Sequence, residues 1–319
     1  MPLLLALLLL SILLNLAYGS VAIPLDELWS PQWQFIVIQS RLPASLTAAL
    51  TGAALGATGL LLQSYFRNPL AGPSILGITS GANLMVALFA IGGMQWFGSS
   101  FSLATHPAGA VLAAIVGAML VLALLLALGR IVRSQITLLI VGMLLSYLAS
   151  AIITLLGYYA SAQGLQQLLV WGMGDFGNVG LQWLPIYTLF IIIGLLATLW
   201  LIKPLNGWMQ GEQYARNLGI NLSRTRLVLL VVTGWLAAIT TAWCGPIAFV
   251  GLAMPHVARM LFRTDDHRRL LPASMLLGAL CCSLCLWLST RPDGGTLLPI
   301  NALTPIFGIP IILYVMLKK

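Results

Sequence analysis

Asn68 to Gly129 reads NPLAGPSILGITSGANLMVALFAIGGMQWFGSSFSLATHPAGAVLAAIVGAMLVLALLLALG and contains no Asp, Glu, Lys or Arg. A membrane helix needs about 20 apolar residues, so this run is too long for one span and suffices for two. Lipid offers no partner to a backbone N–H or C=O, so both pieces must be helical, with the break near Gly92 to Pro107. The rest of the chain agrees. Hydrophobic residues make up 60% of the 319 residues and charged residues only 7%, and the mean hydropathy is +1.00. A soluble domain carries about a quarter charged residues, which excludes that class.

Working outward from this run, the other charge-free stretches are Met1 to Leu25, Leu42 to Phe66, Ser134 to Gly174, Phe176 to Ile202, Leu227 to Ala258, Leu270 to Thr290 and Gly294 to Leu317. They predict an all-α polytopic membrane protein with ten transmembrane helices, near 3–23, 44–64, 75–93, 108–129, 137–159, 183–202, 227–243, 247–262, 271–289 and 301–317. We treat residues 1–319 as a single transmembrane domain. An even number of spans puts both termini on one side. Of the 15 Lys and Arg residues, only Arg41 and Arg291 fall opposite the side that holds Arg67, Arg130, Arg133, the 203–226 and 259–269 clusters and the terminal lysines. Short loops rich in Lys and Arg stay in the cytoplasm, so N- and C-termini are expected there. The net charge of +8 is therefore a topology signal, and no nucleic-acid partner is expected. Leu3 to Leu14 followed by Leu16-Ala17-Tyr18-Gly19-Ser20 also has the look of a cleavable signal. The lack of a basic n-region favours a retained helix.

No GxxxxGK[ST], HExxH or GxSxG motif occurs, so neither nucleotide hydrolysis nor these catalytic chemistries are expected of this chain. The seven acidic residues, Asp26, Glu27, Asp175, Glu212, Asp265, Asp266 and Asp293, all fall in predicted loops or helix margins. Ion-coupled carriers usually keep an ionisable group at membrane depth, which weighs against a secondary transporter. Cys281 and Cys285 share a helix face, but no His or second Cys pair joins them. Small packing residues are the expectation, with no metal site and no cofactor.

One polar stretch interrupts the second half, Lys203 to Arg226 (KPLNGWMQGEQYARNLGINLSRTR). It is expected in the cytoplasm. Within it, Gly211 to Ile220 reads as a helix of about two turns: Glu212 and Arg216 form an i,i+4 pair, Tyr214 and Leu218 make an apolar ridge, and Gly219 suits a C′ position. Asn221 or Ser223 can cap the next helix. So short a helix is not stable alone, so it needs a partner surface or is a merely solvated loop.

This stretch is joined by Arg41-Leu42-Pro43, Arg67-Asn68-Pro69-Leu70-Ala71-Gly72-Pro73, Ile75-Leu76-Gly77, Gly245 to Leu252, Pro255-His256-Val257-Ala258-Arg259 and Asp266 to Pro272. In this order and spacing, the motifs resemble the FecCD family, the permeases of bacterial ABC importers for ferric siderophores, haem and vitamin B12. The resemblance covers essentially the whole chain. It implies the ten-helix type II importer architecture and a location in the bacterial inner membrane. The partners it implies are a second permease subunit, most simply a second copy of this chain, two cytoplasmic ATPase subunits, a periplasmic substrate-binding protein and the surrounding membrane lipid. By the same resemblance, Gly211, Glu212, Tyr214, Ala215, Arg216, Leu218 and Gly219 form the ATPase-coupling element.

By the resemblance, Arg41 matches an outer arginine that docks the binding protein and Arg291 lies within about one position of another, although Ala44 stands where relatives often carry a second arginine. Gly142, Ser146, Ser150 and Thr154, four residues apart on the fifth predicted span, can line the translocation path or pack against a neighbouring helix. Gln163 to Val179 resembles an outer connection, with Trp171, Tyr158 and Tyr159 as interfacial aromatics. His256 is expected to be structural and His106 to sit in an outer loop. Leu298-Pro299-Ile300-Asn301 departs from the Glu-Leu-Pro-Val-Gly of many relatives. The implied function is import of an iron complex, a ferric siderophore or haem. Vitamin B12 is the alternative, and a secondary carrier or a membrane enzyme is more remote.

Overall fold

The computed structural model describes residues 1–19, 23, 30–97, 107–132, 134–290 and 298–317. Fourteen α-helices cover most of them: α1 (Pro2–Ala17), α2 (Pro31–Ile36), α3 (Leu42–Phe66), α4 (Ile78–Phe97), α5 (Pro107–Ile131), α6 (Gln135–Tyr159), α7 (Ala162–Gly172), α8 (Leu184–Leu199), α9 (Ile202–Met209), α10 (Glu212–Asn217), α11 (Leu222–Cys244), α12 (Val250–Phe262), α13 (His267–Ser289) and α14 (Ile300–Leu317). A π-helical turn, Val37–Arg41, joins α2 to α3. Each of the ten predicted spans has its helix. Among the described residues, five helices are long and apolar enough to cross a membrane, a sixth span arises if the bent pair α8 and α9 counts as one, and four apolar helices are shorter.

The short ones have physical causes. Ile75-Leu76-Gly77 is a turn rather than helix, with Gly77 at φ +79, so α4 starts three residues later than expected. Before α12 the chain runs irregularly from Gly245 to Phe249, with φ of +74 and +65 at those two residues. Irregular backbone at membrane depth is tolerated where protein surrounds it and supplies partners. Asn301 does so here: its Oδ1 accepts from Ala248 N at 3.1 Å and its Nδ2 donates to Gly172 O at 2.9 Å.

At the centre lies α3, buried along most of its length. It crosses α13 at backbone contact, where a Cβ on Gly52 would collide with the Gly278 carbonyl and one on Gly56 with that of Ser274. Lipid gives apolar helices little reason to associate, so such close approach by small residues is a main source of their adhesion. Polar pairs add direction. Ser11 donates to Ser283 Oγ at 3.0 Å and Asn15 Nδ2 to Ser283 O at 3.0 Å, which fastens α1 to α13. Thr51 and Tyr187 share a hydrogen bond of 2.6 Å between α3 and α8. The first helix is thus an integral part of the bundle. All four cysteines are free, and no group of three or more potential metal ligands occurs among the described residues.

The chain also departs from expectation. The predicted sixth span continues past Leu201 after a 45° bend, so the polar stretch opens with α9 rather than with coil. Leu205 and Trp208 are the reason: both are buried, one turn apart on the same face. The outer connection likewise holds a helix, α7, capped by the Ser161 hydroxyl on Gly164 N at 3.2 Å.

Candidate functional site

The polar stretch is a two-helix arm, and its root is fixed first. Asn206 on α9 donates through Nδ2 to Asp266 Oδ1 at 2.6 Å, while its Oδ1 accepts from His267 N at 3.0 Å and lies 2.6 Å from His267 Nδ1. An amide oxygen only accepts, so Nδ1 carries the proton and Nε2 accepts from the Ser64 hydroxyl at 2.7 Å. One buried imidazole thereby ties α9, α3 and the start of α13 together. Asp266 caps α13, its carboxylate accepting from Arg268 N at 3.0 Å. That backbone bond, followed by the Asn206 amide, holds its carboxyl below the usual range. Arg67 Nη2 donates to Trp208 O at 2.6 Å, and Trp208 packs against Tyr65 with ring centres 5.3 Å apart.

Nearby, His256 Nε2 lies 2.8 Å from Pro69 O, and Arg259 donates to Gln63 Oε1 at 2.7 Å. The motifs that stood apart in sequence are therefore mutually bonded around the arm's root. Sequence reasoning missed Asn206, because an Asn in a polar stretch gives no signal of burial.

Beyond the root, α10 spans Glu212–Asn217, shorter than the Gly211 to Ile220 expected. Gly211 at φ +124 and Gly219 at φ +76 turn the chain at its two ends. Those values suit glycine and strain any residue with a Cβ. Ala215 is fully buried, against α9. Tyr214 and Leu218, by contrast, are 52% and 58% exposed, two large apolar side chains on the outside of the arm. Glu212 and Arg216 occupy the other flank and border a cavity of about 730 Å³ between α10, α5 and α11. Asn221 caps α11, its side chain accepting from Arg224 N at 3.0 Å.

The remaining candidates divide. Gly142 is buried under the 75–76 backbone, with its Cβ position 2.8 Å from Leu76 Cα, and Ser146 bonds back to Gly142 O at 3.1 Å. Ser150 and Thr154 are exposed on the outer half of α6. The stripe therefore packs at one end and is open at the other. Arg41 is 8% exposed and donates through Nη1 to Leu16 O at 2.7 Å and Ala17 O at 2.9 Å. It satisfies carbonyls at the end of α1, where a cation suits the helix dipole. Arg291 and His106 lie outside the described residues.

The chain belongs to the FecCD transport family, whose model matches residues 7–318. It is 35% identical over 316 residues to the vitamin B12 import system permease protein BtuC of Shigella boydii serotype 18, covering 98% of this chain and 93% of that one. The BtuC of Klebsiella pneumoniae subsp. pneumoniae is 36% identical over 318 residues, covering 98% and 92%. Among solved structures, an ABC transporter described as of the metal-chelate type, in an inward-facing conformation, superposes with a TM-score of 0.88. It is 31% identical, with 99% of this chain and 98% of that one covered. PsaBC from Streptococcus pneumoniae, solved with a Fab, shares the fold at 20% identity and a TM-score of 0.54. This chain is thus an ABC importer permease of FecCD type, a multi-pass inner-membrane protein and not an enzyme. That architecture implies a partner permease and ATPase subunits.

Proposed function

We propose that the 203–226 arm is the lever by which a cytoplasmic ATPase drives this permease, with α10 seated in the ATPase and both chain termini on the same side. The exposed Tyr214 and Leu218 on a helix pinned through Ala215 carry this reading, because large apolar side chains held rigidly in water mark a contact surface. Motion of the ATPase would reach α3 and α13 through Asn206, His267 and Arg67, and α12 through the Arg259 bond to Gln63 of α3. The ten-helix domain moves as the driven part, and two copies of it enclose the path. Ser150 and Thr154 on α6 line that path, whereas Gly142 and Ser146 hold α6 in place.

A periplasmic binding protein delivers the cargo to the face that carries Arg41 and Arg291. Arg41 contributes there by fixing the end of α1, and its engagement of an acidic partner side chain would require it to release Leu16 and Ala17. The cargo is a bulky metal chelate, with cobalamin first: relatives aligned over 98% of this chain carry that name. A ferric siderophore or haem is the second reading, favoured by the metal-chelate description of the structural relative. Uptake into proteoliposomes containing this chain, its ATPase and its binding protein separates them. ATP-dependent accumulation of cobalamin with none of ferric chelates is expected, and the reverse result selects the iron reading.

A further inference from the structure

The cavity of about 730 Å³ beside α10 is not needed to seat a helix in an ATPase, yet its walls combine cationic, hydroxyl and hydrocarbon side chains. Arg216, Arg226 and Ser223 are among its lining residues, and the single lining carboxylate, Glu212, is outnumbered by the two guanidiniums. Arg226 is held in place, donating through both Nη atoms to Val132 O at 3.1 and 3.0 Å. A guanidinium has five N–H groups, so further donors remain for an anion. The first turn of α11 contributes its positive dipole end at Ser223. Leu126, Leu227 and Leu230 line it as well. Ser223, Arg226, Leu227 and Leu230 fall at i, i+3, i+4 and i+7, so one face of α11 runs from cation to hydrocarbon. Leu230 is buried but Leu227 is 45% exposed, which leaves the apolar end open at the side of the bundle.

We propose that this cavity is a binding site for the phosphate headgroup of an anionic glycerophospholipid of the cytoplasmic leaflet, its first acyl carbons lying along Leu227 and Leu126. The inference rests on the cytoplasmic assignment of the arm. Basic pockets between helices at that surface suit anionic lipid, and the attraction there is about 1 kcal/mol per Arg or Lys, roughly a fivefold change in occupancy. A bound lipid would bridge α10, α11 and α5, so it would set how firmly the lever stands off the bundle.

Native mass spectrometry of the permease–ATPase complex, released from nanodiscs of mixed phosphatidylglycerol and phosphatidylcholine, tests it. One phosphatidylglycerol retained per permease chain is expected. Arg226→Gln should reduce retention about tenfold through loss of a charge-assisted contact, with partial recovery in Arg226→Lys. Ser223→Trp fills the cavity from an exposed position and leaves the Arg226 bonds to Val132 intact, so it should abolish retention without unfolding the chain. Unchanged retention in both Arg226→Gln and Ser223→Trp overturns the site. Displacement of the lipid by millimolar inorganic phosphate alone would make it a free-anion site and overturn the lipid assignment. Ser223→Cys should also cross-link to a headgroup photoprobe; cross-linking to the ATPase in its place overturns the proposal in favour of a protein occupant. Cross-linking of Asn217→Cys to the ATPase is a separate readout, so failure of the coupling reading is distinguishable from failure of the lipid site.

Discussion

Asn301, in the first turn of α14, joins the end of α7 to the irregular chain before α12: its backbone N–H donates to Met173 O at 3.0 Å, and its side chain links Ala248 N to Gly172 O. Without that side chain two backbone groups near the break between α11 and α12 lose their partners. A buried unsatisfied polar group costs about 1–3 kcal/mol. Asn301→Ala is accordingly expected to lower the unfolding free energy in detergent by about 2–4 kcal/mol, measured by equilibrium denaturation. Asn301→Asp keeps the acceptor for Ala248 and loses the donor for Gly172, so it should fall between the two. Equal stability of all three proteins would show that water replaces the amide.

The same reasoning applies to Asn206, whose amide holds Asp266 and His267 together. Asn206→Leu preserves volume but strands the imidazole Nδ1–H. Transport should fall strongly, while the ATPase stays bound, because α10 keeps its own contacts through Ala215 and Gly207. An assay of transport against ATPase co-purification reads the two effects separately; loss of both together would make Asn206 merely structural.

For the elements, the coupling helix behaves as a unit. Burying Tyr214 and Leu218 in a partner is worth about 1.5–3 kcal/mol each, so Leu218→Ala should weaken ATPase association about tenfold to a hundredfold. The double substitution with Tyr214→Ala should approach complete dissociation, seen by size-exclusion chromatography of the complex. Gly219→Ala acts differently, by straining the φ of +76 and misaiming the helix, and should impair transport more than association.

How much of this was visible beforehand depends on the element. The ten spans were legible because hydrocarbon runs between charges have few physical alternatives. Gly211 to Gly219 was legible as a short helix because its apolar ridge has helical spacing and its glycines stand at the ends. α9 was not, since its eight residues include Lys203, Pro204, Asn206 and Gly207, and only Leu205 and Trp208 report burial. Arg41 was matched as a docking residue by the family resemblance alone, and nothing in sequence could show that the end of α1 returns to meet its guanidinium.

At the scale of the molecule, the distribution of charge decides what drives transport. Among the described residues the carboxylates, Asp175, Glu212, Asp265 and Asp266, lie between helices or at helix ends, and the bundle centre is joined by neutral groups such as Thr51, Tyr187 and Cys244. A carrier that harvests a proton or sodium gradient needs an ionisable or carbonyl-lined site near the midplane that both sides reach in turn. Here Asn206, His267 and Arg67 join the polar arm to α3 and α13 at one end of the bundle. The energy should therefore enter at that end. Proteoliposomes holding the permease alone are expected to accumulate no chelate under an imposed proton or sodium gradient. Adding the ATPase, binding protein and ATP should restore uptake, and Asn206→Leu should lower it again without altering the basal rate of the free ATPase. Gradient-driven accumulation by the permease alone would place the coupling site inside the membrane and remove the arm from the mechanism.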